Sequence, residues 1–306
     1  MSDKTVLKVD GLSVSFRMYD KGLEQKDLEV ISNLNVSVRA GEILAVAGSS
    51  GSGKSLLAHA ILGILPTNAK VSGEMKYMDS TLTPRLQRKL RGKEMALVPQ
   101  SVEYLDPLMR VAQQVIGADG TKEKQKSVFK KYGLSDLVER LFPFQLSGGM
   151  ARRILVSSAV ISDAKLIIAD EPTPGLSKDM AKVAMSHFRE LANRGCAVLL
   201  ITHDIDLALS YADRISVFYA GTTVETADVE DFKQGAGALR HPYTKALWQA
   251  IPQNGFKPIQ GVQPYPGSLP DGCLFAPRCL MKTAECEKRP IMRKIRGGEV
   301  CCNHAT

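Results

Sequence analysis

Gly48-Ser49-Ser50-Gly51-Ser52-Gly53-Lys54-Ser55 stands between the apolar run EILAVA and the helical pattern SLLAHAILGIL. Glycines there let backbone N–H groups turn inward toward phosphate oxygens. Lys54 reaches β and γ phosphates, and the Ser55 hydroxyl is placed to ligate Mg²⁺. The pattern predicts a nucleoside-triphosphate site. Downstream, LIIAD followed by Glu171 puts an acid pair at the end of an apolar strand, and strand ends in such sheets face the ligand. Asp170 is expected to join the Mg²⁺ shell, and Glu171 to act as the general base that orients and deprotonates an attacking water. CAVLLIT ends in His203. If that strand runs parallel to the Asp170 strand, His203 lies on the same ligand-facing edge.

Thiols form a second constellation. Five of the six cysteines, Cys273, Cys279, Cys286, Cys301 and Cys302, lie in the last part of the chain, and Cys196 sits alone in an apolar run. The beginning, MSDKTVLKVDGLSVSF, shows no charged stretch followed by an apolar one, so a reducing cytosolic setting is expected. Tail cysteines in that setting are metal ligands or spare thiols in preference to disulfides. Thiolates suit an iron–sulfur cluster, and zinc also accepts four of them. Cys196 is expected to be an inert core residue.

These residues need a scaffold. A chain of 306 residues with 44% hydrophobic content can build one large α/β domain and an appendage. Apolar runs at 42–48, 165–170 and 196–202 are each followed by a helical pattern, which predicts a mostly parallel sheet covered on both faces. Between Gln100 and Asp163 the sequence turns helical and loop-rich, and 214–227 reads as a hairpin turning at Gly221. After about Phe232 the composition shifts to Gly, Pro and Cys, the expected domain boundary. No apolar run approaches the roughly 18 residues of a membrane span. A net charge of +8 suits nucleic acid or an anionic membrane surface, but moderate excess charge is read as a solvated face.

Order and spacing add a resemblance. The phosphate loop, VPQ ending at Gln100, LSGGM at 146–150, LIIADEP at 166–172 and ITHD at 201–204 together resemble the ATPase subunit of ABC transporters, over residues 5–230. The resemblance implies a P-loop ABC-type ATPase domain over 1–235 with a helical subdomain at about 101–163, and ATP with Mg²⁺ as ligands. Ser147, Gly148 and Gly149 at a helix N-terminus make a second anion site of N–H donors. In the family that signature faces the nucleotide of the opposite subunit, so two ATPs are sandwiched between two domains. Gln100 would touch Mg²⁺ or the lytic water, and SVEYLDPLMR would line the groove for a transmembrane coupling helix. Phe16 matches the aromatic that stacks on adenine, with Tyr19 nearby, and His203 matches the switch histidine on the γ phosphate. Three departures stand out: Met150 ends the signature, Arg152-Arg153 replaces a Gln-Arg pair, and Ser177 replaces an aspartate that communicates across the dimer.

The tail narrows the resemblance. His241-Pro242-Tyr243-Thr244-Lys245-Ala246-Leu247, PGSLP at 266–270 and GCLFAPRC at 272–279 resemble the C-terminal extension of oligopeptide, dipeptide and nickel importer ATPases, here a small irregular Cys-rich extension over 236–306. By that resemblance Cys273, Cys279, Cys286 and Cys302 hold a 4Fe-4S cluster, with Cys301 competing as fourth ligand and zinc as the alternative. The implied function is MgATP hydrolysis powering import of peptides or nickel. The implied partners are a second, different ATPase chain, two transmembrane permease subunits and an extracytoplasmic substrate-binding protein, with no nucleic acid. The implied place is peripheral, on the cytoplasmic face of the membrane. A soluble ABC-type ATPase on nucleic acid or ribosomes and a redox-sensing regulator are the alternatives.

Overall fold

The computed structural model describes residues 4–19, 22–49, 51–117 and 120–306. Along the chain, β1 (Thr5–Tyr19) and β2 (Gln25–Arg39) pair antiparallel, and β3 (Ile43–Gly48) leads to α1 (Lys54–Leu62). Then come β4 (Ala69–Tyr77), β5 (Ser80–Thr81), α2 (Pro84–Leu90) and β6 (Met95–Val98). The helical segment follows as α3 (Val111–Ile116), α4 (Lys122–Lys131) and α5 (Gly148–Val160). After it run β7 (Leu166–Asp170), α6 (Lys178–Asn193), β8 (Ala197–Thr202), α7 (Ile205–Tyr211), β9 (Arg214–Tyr219) and β10 (Thr222–Asp228). Then come α8 (Val229–Gln234) and, in the tail, α9 (Pro242–Gln249), β11 (Arg293–Ile295) and β12 (Gly298–Val300).

The main sheet has eight strands in the order β11-β12-β10-β9-β3-β8-β7-β6, and β9, β3, β8, β7 and β6 are mutually parallel. Its central strand shows why. Ile43, Ala45 and Ala47 enter one core and Leu44 and Val46 the other, all without exposure. A strand buried on both faces reads as a continuous apolar run, and only a sheet covered twice can accept it. One cover is the helical layer: α6 sends Ala184, Met185, Phe188 and Ala192 inward at helical spacing. The other is α1 together with a four-stranded antiparallel sheet, β2-β1-β4-β5, that the apolar-run pattern did not foretell. β1, β2 and β4 are long and half-exposed, so they lack the solid apolar runs that mark the parallel strands, and β5 has only two residues.

The β9–β10 hairpin turns at Ala220 and Gly221, both left-handed at φ 48° and 82°, which matches the right-handed twist of paired strands. A Cβ on Gly221 would meet the Val30 carbonyl at 2.2 Å, so the glycine also lets β2 close in.

The tail is less separate than its composition implies. β12 pairs with β10 at Glu225↔Val300, so two of the eight strands come from the extension. At three residues each, β11 and β12 are too short to leave a periodic signal. A buried ion network fastens them. Glu225 has no exposure; its carboxylate accepts from the Arg240 and His241 backbone N–H groups at 2.9 and 2.8 Å. Arg240, also buried, bonds Asp231 at 2.8 Å and donates to the Ile295 carbonyl at 2.6 Å. Buried charges persist only when paired in this way. Gly298 makes room, because a Cβ there would lie 2.6 Å from the Arg240 guanidinium carbon. Among the described residues no helix is long and apolar enough to cross a membrane.

His241 ends this network as the N-cap of α9, its Nδ1 accepting from the Tyr243 N–H at 3.0 Å. Burial pushes its pKa down to about 3. In the unfolded chain histidine takes up a proton near pH 6.5, so stability is full above that pH and is lost progressively between about 6.5 and 3. The expected slope is about 1.4 kcal/mol per pH unit for this one group. His241→Asn keeps a capping acceptor without the titration, and its melting temperature should fall less steeply than the parent's between pH 6.5 and 4.5.

Candidate active site

β3 delivers the chain to the phosphate loop at the centre of the sheet. Gly48 sits so close to β9 that a Cβ would lie 2.5 Å from the Phe218 carbonyl oxygen. Gly51 and Gly53 adopt φ of 76° and 91°, which side-chain-bearing residues rarely accept. Ser50 lies outside the described residues. Lys54 is buried and reaches back across the loop, Nζ donating to the Gly48 and Ser49 carbonyls at 2.8 and 3.0 Å. Burial pushes its ammonium pKa down, and the nearby Glu171 and Asp170 oppose that shift.

Parallel pairing brings the other candidates to the same edge. A cleft of about 290 Å³ is lined by Gly51, Gly53, Lys54, Ser55, Gln100 and Glu171, among others. Asp170, at the end of β7, is buried; burial raises its pKa, with a Ser55 hydrogen bond opposing. Among the described residues its Oδ1 has no hydrogen-bond partner. An orphaned carboxylate oxygen beside a hydroxyl and an ammonium is costly without a ligand, and it is the donor set a Mg²⁺–nucleotide pair uses. Ser55 and Asp170 therefore fit the metal. Glu171 is held at a left-handed φ of 48° with its N–H bonded to the Ile201 carbonyl, a backbone conformation that persists only where its surroundings impose it. Its Oε2 meets His203 Nδ1 at 2.8 Å. Glu171 is buried while the His203 side chain is 62% exposed, so the pair runs from the cleft floor to solvent.

Gln100 lines the cleft, and a residue noted in the sequence only as a departure proves to hold it. Arg152 on α5 donates to the Pro99 and Gln100 carbonyls at 2.8 and 2.5 Å. Nothing in local spacing links positions so far apart. Ser147 caps α5, its Oγ accepting from the Met150 N–H at 3.3 Å, and Gly148 has open space where a Cβ would be. Ser147, Gly148 and Gly149 are not among the residues lining their own chain's cleft. Ser177 likewise serves as an N-cap, for α6. Phe16 is half-buried, packed against the second core opposite Leu28 and Ala69. Beyond it the exposed Met18 and Tyr19 line a larger, open cavity of about 740 Å³ with Arg17 and Lys70. None of the described phosphate-loop residues lines that cavity; those that line a cleft line the smaller one.

The tail thiols are neighbours. Cys273, Cys286 and Cys302 are buried and Cys279 half-buried, all free, and the Cys273 N–H bonds the Cys286 carbonyl at 2.9 Å. Burial pushes Cys301 and Cys302 up to about 11, and proximity to the other tail thiols adds to the Cys302 shift. The donor chemistry suits a four-thiolate site. The arrangement is looser than one: among the described residues no three His, Cys, Asp or Glu side chains form a group able to hold a metal. Cys196 is buried in the core as expected.

Comparison with known proteins fits this geometry. The ABC transporter family profile matches residues 31–174, and that of the oligopeptide/dipeptide transporter C-terminal region matches 224–286. The dipeptide transport ATP-binding protein DppD of Haemophilus influenzae is 33% identical over 321 residues, covering 97% of this chain and 95% of the relative. This chain belongs to the oligopeptide/dipeptide branch of the ABC transporter ATPases. The oligopeptide transport ATP-binding protein OppD of Escherichia coli is 31% identical, covering 96% and 91%. A dimeric bacterial ABC transporter cassette superposes with TM-score 0.63 at 25% identity, over 73% of this chain and 98% of its own. A dimeric cassette in a post-hydrolysis state with ADP and Pi superposes with the same TM-score at 23% identity. As a member of this family the chain is an ATPase, with ATP and Mg²⁺ its expected ligands.

In this ABC ATPase Gly48 is the phosphate-loop glycine with the least room for a side chain. Gly48→Ala forces β3 away from β9 at the mouth of the phosphate loop. ATP affinity is expected to drop at least ~10-fold and stability by about 1–3 kcal/mol, read by nucleotide titration and denaturant unfolding.

Proposed function

We propose that this chain is one of two ATP-hydrolysing subunits that power a peptide importer, and that it works as a nucleotide sandwich. The observation that carries the reading is the Glu171–His203 contact of 2.8 Å at the edge of a cleft that also presents Lys54, Ser55 and Gln100. Lys54 and the loop N–H groups of Gly48–Ser55 bind the β and γ phosphates. Phe16, with an edge still exposed, receives the adenine. Ser55, Gln100 and Asp170 would hold Mg²⁺, which supplies charge neutralisation on the phosphate oxygens when bound. Glu171 takes the proton of the attacking water, and His203 orients Glu171 while reaching the γ phosphate. Ser147, Gly148 and Gly149 meet the partner's nucleotide, since they stand away from their own. Ser177 is a helix cap without the charge of an aspartate, which favours a second ATPase that is a related but different chain.

Peptide, in preference to nickel, is the proposed cargo because the relatives are named for dipeptide and oligopeptide transport. The exposed Tyr104 and Leu108 after Gln100 are the proposed seat of a permease helix, two permease subunits and an extracytoplasmic binding protein completing the assembly. The proposed location in that assembly is peripheral, on the cytoplasmic face. For the tail, Cys273, Cys279, Cys286 and Cys302 are the proposed 4Fe-4S ligands, zinc being the alternative. Free thiols in mutual proximity support it, and the loop must draw them closer to complete the site.

Glu171→Gln tests the catalytic reading: MgATP turnover by the assembled transporter should fall by a factor of about 10²–10⁴ while ATP binding persists. Retained turnover overturns Glu171 as the base. Iron and acid-labile sulfide analysis of anaerobically purified protein tests the tail. About four of each per chain, lost in Cys286→Ser, is expected for the cluster; stoichiometric zinc would select the alternative.

A further inference from the structure

Ser49 opens the phosphate loop, and the tail grips it. Its Oγ donates to Gln263 Oε1 at 2.7 Å, a bond between positions 214 residues apart. Gln263 lies in a proline-punctuated segment, IQGVQPYPGS at 259–268, that is anchored at both ends. At one end Arg278, next to Cys279, donates to the Gln260 and Ile259 carbonyls at 2.7 and 3.2 Å. Its guanidinium also lies over the Tyr219 and Phe275 rings, 5.8 and 6.0 Å from their centroids. At the other end the Pro266–Ser268 turn packs on β2, where a Cβ on Gly267 would come 3.5 Å from Leu28. Pro264 and Pro266 restrict the backbone between the anchors.

A second tail residue stands behind the same serine. Tyr243 on α9 is buried, its ring 4.5 Å from that of Tyr219, and nearby Ser49 opposes the upward pull of burial on its phenol pKa. With Lys54 Nζ on the Ser49 carbonyl, the serine is held by the loop's own lysine and by Gln263 of the tail. No step of ATP hydrolysis uses Gln263 or Tyr243.

We infer that the extension is a strap on the phosphate loop, with Gln263 a positioning residue that holds Ser49 in its nucleotide-binding conformation and Arg278 fixing the register of the strap. The inference rests on the ATPase reading of the cleft. It makes MgATP affinity a property of the tail as well as of the loop, and it links the cysteine-bearing turn to nucleotide binding through Arg278. A neutral hydrogen bond of this kind is worth about 3-fold to 10-fold in affinity.

The test uses the full chain in its assembled transporter, with KM and kcat for MgATP measured beside fluorescent ATP-analogue binding and thermal melting. Gln263→Ala, and the shape-preserving Gln263→Met, should raise KM about 3-fold to 10-fold while kcat stays within about twofold and melting is unchanged. Arg278→Ala should shift KM in the same direction. Ser49→Ala combined with Gln263→Ala should be no worse than Ser49→Ala alone, because both remove one bond. Additive losses, or an unchanged KM in both Gln263 variants, overturn the strap while leaving the ATPase reading intact. Absence of nucleotide binding by the unaltered protein would overturn both.

Discussion

Parallel pairing of four strands about β3 is the constraint on which the site depends. Strands that run the same way end on the same edge, so Gly48, Gln100, the Asp170–Glu171 pair and His203 are gathered although they are scattered over more than 150 positions of sequence. The register makes the gathering specific. Ala47 stands opposite Thr202, and Asp170 opposite Ile201, which leaves Glu171 and His203 one step beyond the ladder and within hydrogen-bond reach. Burial of both faces of β3 keeps that register, because a slip of one residue would exchange the sides that the two cores require.

Around this edge the protein places groups whose needs a ligand meets. Among the described residues one Asp170 oxygen lacks a partner, Glu171 holds an unfavourable backbone conformation, and the Lys54 ammonium is buried against carbonyls and two carboxylates. Each is costly in a bare fold and useful to a metal–nucleotide pair. The helical layer takes part through Arg152, which ties the cap of the fold to Gln100.

The extension follows from a different balance. It has few apolar side chains to bury, and it is fixed instead by the Glu225–Arg240 network and by two short strands added to the sheet. A buried carboxylate that accepts two backbone N–H bonds positions the start of α9 within hydrogen-bond tolerance, and Tyr243 and the strap are placed from there. The aromatic group of Tyr219, Tyr243 and Phe275 joins sheet, helix and cysteine loop in one packed unit.

By itself the sequence determined what is local: the glycine spacing of the phosphate loop, the apolar runs that become β3, β7 and β8, the acid pair and histidine at their ends, and the hairpin turning at Gly221. Each depends on neighbours within a few residues, where side-chain type and backbone preference speak directly. Only the tertiary structure decided that Arg152 holds Gln100, that Glu225 and Arg240 pair out of water, that two three-residue tail strands extend the sheet, and that Gln263 reaches Ser49. Those contacts join positions between 15 and 214 residues apart, where any carboxylate or amide has many possible partners. The choice among them is made by which surfaces the packed sheet brings together.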